Sequence, residues 1–395
     1  MTHDTQQETD LNSELFRSSN SNLSNLSKKP NDRIAYLDGL RAVAILSVVL
    51  FHYYFIFPNK FNISYSKGIG EVWFIKYGSL GVMLFFSISG FVITQTLHTS
   101  VSSKHFIAKR FSRLFPAMLV CSLLTYLISF ILPTTYTSKA YNFLPSLTFL
   151  DPKIYNFIFQ SQSFEWMDGA YWSLFTEIRF YTISALIYFA NKRNFYRNFL
   201  FLAAIVGILF PLSIILQLHS IRSAFNFLLI ANQLPWFIFG VGCYRLYKND
   251  NKEFITYSLI SFFSMLFYCL AITNYPYMPF DAQATMIGML AIFVLIYSAI
   301  KIKLVSNILS YKPITLIGVA SYSFYLLHQE IGQKFIYIID IAAVKNLELY
   351  KFTYLIPLFV LIIGILFSLL MYKYYENPIN KRLNRLFKPK NIIIE

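Results

Sequence analysis

The segment DGLRAVAILSVVLFH, Asp38 to His52, decides the fold class, because one apolar run holds an arginine and a histidine with ten residues between them. A hydrocarbon slab accepts ionisable side chains only where they face a protein interior or a water-filled cavity, so such a pair marks a functional site by default. At ~1.5 Å per residue the two side chains lie about 16 Å apart along a helix axis. Arg41 therefore works near one membrane face and His52 much deeper.

Working outward, 56% of the 395 residues are hydrophobic, 19% aromatic and only 13% charged, a composition foreign to soluble domains. Apolar blocks of about 20 residues, separated by short polar segments, match the length needed to cross a ~30 Å hydrocarbon core. The expected fold class is all-α, a polytopic integral membrane helical bundle. Ten spans are expected at roughly 36–57, 79–98, 114–132, 171–190, 198–217, 224–246, 254–273, 282–300, 314–338 and 353–375. Ten spans put both termini on one side, where Arg33, Lys109, Arg110, Arg113, Arg193, Arg245, Lys301, Arg382 and Arg385 also fall. The opposite loops hold few basic residues, and the positive-inside rule then gives N-in and C-in. The formal charge of +15 is thus a topology signal rather than a nucleic-acid footprint, and no nucleic-acid partner is expected.

Residues 1–33, rich in Ser, Asn and Gln with no apolar h-region, read as a disordered cytoplasmic tail. Residues 34–382 read as the membrane domain and 383–395 as a basic cytoplasmic tail. Cys121, Cys243 and Cys269 sit in apolar blocks without the spacing of a disulfide framework or zinc site, and no metal is expected. The loop over about 133–170, expected outside, carries Asn142, Asp151, Glu165 and Asp168 among aromatics; a loop of this length is either functional or a connector.

Depth along the spans sets the candidate chemistry. The first span runs outward and puts His52 about five residues, ~8 Å, below the outer face. The fourth runs inward and brings Glu177 to a similar depth. A carboxylate on one helix can orient an imidazole on another and stabilise its charged form, which suits a general base. A structural hydrogen bond between packed helices is the other reading. Ser173, Glu177 and Tyr181, spaced by four, share a face beside Trp172 that is expected to look inward. Arg179, roughly 200° round from Glu177, meets something else, a lipid headgroup or another helix. Arg110 and Arg113 share a face at the cytoplasmic start of the third span; their forks match phosphate oxygens, although from the residues alone a snorkelling topology signal is the favoured reading. His328, near the middle of the ninth span, is either a second site residue or a satisfied interior histidine. Gly240 and Gly242 lack the preceding strand of a nucleotide fingerprint. Gly81, Ser87, Ser89 and Gly90 are small residues that let helices approach closely.

Together these segments resemble the acyltransferase family 3 membrane proteins, bacterial enzymes that O-acylate carbohydrates. DGLRAVAILSVVLFH is similar to the family's opening helix, GVMLFFSISGFVIT (Gly81 to Thr94) to its second-helix motif and KRFSRLFP (Lys109 to Pro116) to its arginine pair. WSLFTEIRFY (Trp172 to Tyr181), SYSFYLLH (Ser321 to His328) and YYENP (Tyr374 to Pro378) are similar to its later motifs. Met83 stands where the family usually has an acidic residue, and Ile178 with Arg179 replaces the commoner Glu-Gln, departures that bear on the acceptor side.

The resemblance implies transfer of an acyl group, acetyl foremost, from cytoplasmic acyl-CoA. The acceptor it implies is a hydroxyl of a cell-surface polysaccharide, a lipopolysaccharide or another glycan or lipid-linked carbohydrate, at the bacterial inner membrane. The extracytoplasmic hydrolase-like domain that some members carry is not expected here. In the geometry expected, CoA phosphates meet Arg110 and Arg113, the pantetheine arm passes Arg41, and the thioester reaches His52, oriented by Glu177. Trp172, Ser173, Tyr181 and His328 are expected to contact substrate. A transporter or flippase with a buried His, Glu and Arg pathway is the competing expectation.

Overall fold

The computed structural model describes residues 34–58, 67–132, 138–273, 281–345 and 351–387. The expected tail 1–33 and residues 388–395 of the basic tail lie outside the described residues. Every element among those described is helical. The chain runs through α1 (Ala35–Phe51), α2 (Leu80–His98), α3 (Ser103–Ile131), α4 (Trp172–Ala190), α5 (Phe195–Ile215), α6 (His219–Leu229) and α7 (Leu234–Tyr247). It continues through α8 (Asn251–Thr273), α9 (Ala282–Lys301), α10 (Lys312–Leu327), α11 (Glu330–Val344), α12 (Ile356–Met371) and α13 (Asn377–Leu386).

Eight of the ten expected spans have helix long and apolar enough to cross a membrane among the described residues, with α6 and α7 taken together as one (His219–Tyr247) and the last running from Thr353 to Leu386. The two that fall short are α4 and α10. Ser173, Glu177 and Arg179 lower the hydropathy of α4, and α10 ends after 16 residues. The expected ninth span, 314–338, breaks after Leu327 and restarts as α11, whose first backbone N–H, that of Glu330, donates to Asp168 Oδ2 at 2.9 Å. A carboxyl oxygen accepting the leading N–H of a helix caps it, so this break is built in rather than incidental. The expected sixth span, 224–246, breaks at Ile230, whose φ of 49° ends α6. A β-branched residue there costs about 1–3 kcal/mol, which burial of the Ile230 side chain helps offset. The break frees α6, which has no buried residue, to lie apart from α7.

Backbone contact between α2 and α7 holds the centre together. A Cβ on Gly240 would sit 1.9 Å from the Ser87 carbonyl oxygen, and one on Gly90 2.2 Å from that of Phe237. Only glycine at both positions lets the two helices touch, the means by which apolar helices gain packing energy in lipid. Phe86 of α2 and Phe180 of α4 both stack on Phe237, with centroids 4.8 and 4.1 Å away, and so bring α4 against the same pair. Two apolar helices end in π turns, α1 at His52–Ile56 and α12 at Tyr372–Glu376. Such turns are rare and gather at functional sites, and each carries an ionisable residue.

Candidate active site

α1, α2, α3, α4 and α10 enclose a cavity of ≈ 90 Å³ lined by Arg41, Arg110, Arg113, Ser173, Glu177 and Tyr181, with Phe85, Phe86 and Tyr325 among its apolar walls. Antiparallel passage of α2 beside α1 and α3 brings the arginines of two separate motifs together. Arg41 is ion-paired at 2.7 Å with the buried carboxylate of Asp38, one turn away. Arg110 donates to Thr96 Oγ1 at 2.5 Å and lies 5.7 Å over the Tyr181 ring. Its Nε is buried with no hydrogen-bond partner among the described residues. A buried donor on a cation is expensive to leave unmade, so this atom asks for an acceptor that the helices themselves do not supply. Glu177 accepts from the Ser89 hydroxyl and lies within electrostatic reach of Arg110 and Tyr181. Its charge partly balances the guanidinium groups.

The two histidines pair with each other. His52 Nδ1 is 3.0 Å from the Val48 carbonyl oxygen and 3.2 Å from His328 Nε2, and His328 Nδ1 is 2.7 Å from the Tyr325 carbonyl oxygen. These acceptors assign the neutral tautomers. A carbonyl can only accept, so His328 Nδ1 carries the proton and its Nε2 accepts. His52 Nδ1–H then donates to His328 and Val48 together. The lone pair of His52 Nε2 is left to act as a base.

Glu177 is not the partner of His52: among the described residues no hydrogen bond joins them. Ser173 takes that depth instead, exchanging a 2.7 Å hydrogen bond with the hydroxyl of Tyr325, whose ring centroid is 5.3 Å from that of His328. Glu177 therefore lies one turn, ~6 Å, further along α4, beside Arg110. Nor does the cavity run on to His52 as expected. It ends at Phe85 and Tyr325, with ring centroids 6.0 Å apart, and His328 stands behind them. Trp172 points away, since its neighbour Ser173 is ~100° round the helix. Its indole is 37% exposed. Arg41, Arg110, Arg113, Ser173, Tyr181 and Glu177 do converge.

Four further groups frame the site. Ser89 and Tyr325 lay within quoted motifs, yet neither is charged, which is the signal that depth arguments use. Glu376 of YYENP accepts from the Ser323 hydroxyl of α10 and lies within electrostatic reach of Arg113. A carboxylate ending an apolar helix was the available sign. Asp168, fully buried, accepts from the N–H groups of Ala170 and Glu330 at 2.8 and 2.9 Å, tying the start of α4 to the start of α11 beside His328. Burial, and next the Glu330 carboxylate, push the Asp168 carboxyl well above its usual range. Among the described residues no three His, Cys, Asp or Glu side chains group as metal ligands.

Comparison with known proteins agrees with the motifs. Residues 34–387 match the acyltransferase family 3 model, described as "Acyltransferase domain". The chain is 26% identical over 378 residues to the O-acetyltransferase OatA of Staphylococcus aureus strain NCTC 8325, covering 88% of this chain and 57% of that protein. It is 24% identical over 381 residues to a putative O-acetyltransferase of S. aureus strain COL, covering 87% and 57%. It thus spans little more than half the length of these relatives. No solved structure matches. With the family model spanning the bundle from Ile34 to Phe387, and eight helices fit to cross a membrane, the chain belongs to acyltransferase family 3 and is an integral membrane protein.

Proposed function

We propose that this protein is a membrane O-acyltransferase of the bacterial plasma membrane that moves an acetyl group from cytoplasmic acetyl-CoA to a hydroxyl of a cell-surface or lipid-linked glycan. One observation carries the reading most: three guanidinium groups from α1 and α3 meet in one cavity, and Arg110 Nε is buried there unpaired. Arginine forks suit phosphate and pyrophosphate oxygens, and the basic loops favour a cytoplasmic position for this end of the bundle. The printed names of the relatives above favour acetyl as the group moved.

In the reaction, His52 Nε2 takes the proton of the acceptor hydroxyl as its oxygen attacks the thioester carbonyl. The C–S bond then breaks, and the departing CoA sulfur takes that proton from the imidazolium. His328 acts as a positioning residue: by accepting the Nδ1–H bond it holds the reactive tautomer and eases the transient charge. Glu177 keeps Arg110 and Tyr181 in place rather than orienting His52. A cavity of ≈ 90 Å³ is far below the size that holds a cofactor, so the thioester arm enters only when Tyr325 swings aside. Tyr325 is thus the closed gate between the arginines and the histidine pair.

Reconstitution in liposomes with acetyl-CoA and envelope glycan tests the reading. Free CoA is expected only when both substrates are present. Movement of a solute across the bilayer without consumption of acetyl-CoA would overturn it in favour of a transporter.

A further inference from the structure

A second cavity, of ≈ 610 Å³, lies where residues 151–166 meet the start of α4 and α6. Its volume falls in the range that holds small-molecule ligands. Trp166 and Trp172 are the indoles of the wall, Asn226 and Gln233 supply amides, and the charged residues are two acids, Asp151 and Glu165, and two bases, Lys153 and Arg179. Arg179 is fixed in place: it donates to the Phe227 carbonyl oxygen at 3.0 Å, pairs with Asp151 at 3.4 Å and lies 5.5 Å over the Phe227 ring. Its charge is balanced by Asp151, and the other two charged wall residues, Lys153 and Glu165, are opposite in sign, so the lining carries no net formal charge. The cavity therefore suits a neutral ligand rich in hydroxyls rather than a phosphate. Mixed donors and acceptors beside indole faces match a sugar, which has polar edges and apolar ring faces.

The cavity also adjoins the arginine cavity and the Tyr325 gate. Trp172 lines it, and the Trp172 ring meets edge-on, at 6.2 Å and 79°, the Phe86 ring that lines the arginine cavity. The next residue, Ser173, holds Tyr325. One layer of side chains separates the two spaces.

We infer that this cavity is the acceptor subsite, in which a neutral glycan segment stacks on Trp166 and Trp172 while the Arg179 and Asp151 pair reads its hydroxyl pattern. The inference rests on the acyl-transfer reading above. The test uses the full chain in lipid nanodiscs with acetyl-CoA and, as acceptor probe, oligosaccharides released from the envelope of the producing cells. Arg179→Gln and Asn226→Ala are each expected to raise the KM for oligosaccharide about tenfold while the KM for acetyl-CoA stays within about twofold. Asn226 lies on α6, which buries no residue, and its removal costs only a 3.4 Å bond accepted from the Asn232 N–H, so that variant reports even where loss of the Asp151 pair unfolds the other. If the wild type transfers acetyl and neither variant moves the oligosaccharide KM, the placement of the subsite is overturned and the acyl-transfer reading stands. If the shifts occur only with phosphate-bearing acceptors, the neutral ligand class is overturned. If the wild type acetylates nothing, both readings fall.

Discussion

Tyr325→Phe isolates the gate from the chemistry. The Tyr325 hydroxyl lies 2.7 Å from Ser173 Oγ and 3.1 Å from the Ala170 carbonyl oxygen, and these bonds hold the ring between the cavity and His328. Each contributes about 1 kcal/mol net, and Ser173 regains one by donating to Ala170 when Tyr325 leaves, so the closed position is expected to lose about 1 kcal/mol and the open fraction to rise roughly 5-fold. The fold is expected to survive, because Ser173 Oγ also donates to the Ala170 carbonyl oxygen at 3.3 Å and neither group is stranded. His328 is 1% exposed in the closed form, which makes it the reporter. Its carbethoxylation by diethyl pyrocarbonate, read by peptide mass, should rise by about that factor. The kcat/KM for acetyl-CoA should rise with it until opening no longer limits the rate. A variant of wild-type melting temperature whose His328 reacts no faster than the wild type would refute the gate.

Other expectations follow from single contacts. Arg110→Lys keeps the charge and loses the fork, and is expected to raise the KM for acetyl-CoA about tenfold; Arg110→Gln should raise it about 100-fold, with kcat little moved in steady-state CoA release. Gly240→Ala drives a methyl onto the Ser87 carbonyl and is expected to cost about 1–3 kcal/mol or more, seen as a lower melting midpoint. Gly68→Ala, where an added Cβ meets nothing within 4 Å, should be neutral in the same assay. The Asp168 carboxyl is held above its unfolded value, so the stability it contributes is complete below the unfolded pKa and falls as pH rises toward the folded one. The melting midpoint should therefore decline as pH rises above the ordinary carboxylate range, and Asp168→Asn should flatten that decline.

Much of the bundle was legible because hydrocarbon imposes a simple rule on sequence. Apolar length located eight of the spans, and the two it described least well, α4 and the α10 to α11 break, are those where the site interrupts the pattern. Charge at depth likewise led to Arg41, Arg110, Arg113 and Glu177. It could not rank partners within one helical turn, and Ser173 rather than Glu177 therefore stands level with the histidines. Rotation about the axis was equally out of reach for Trp172, one residue from a wall-lining serine yet facing the other cavity. The contact of Arg179 is not legible in the sequence because its partner, Asp151, caps a short helix (Pro152–Ile158) in the loop between spans, whose path the span pattern does not fix. The His52 to His328 contact joins positions 276 apart in the chain, and no spacing rule reaches that far.

The most direct measurement is the rate of acetyl transfer by purified His52→Ala at saturating acetyl-CoA and acceptor, beside its affinity for acetyl-CoA. A loss of about 10²–10⁴-fold in rate with donor affinity retained is the expected result for removal of a general base. Transfer at the wild-type rate would contradict the assignment of His52 as that base.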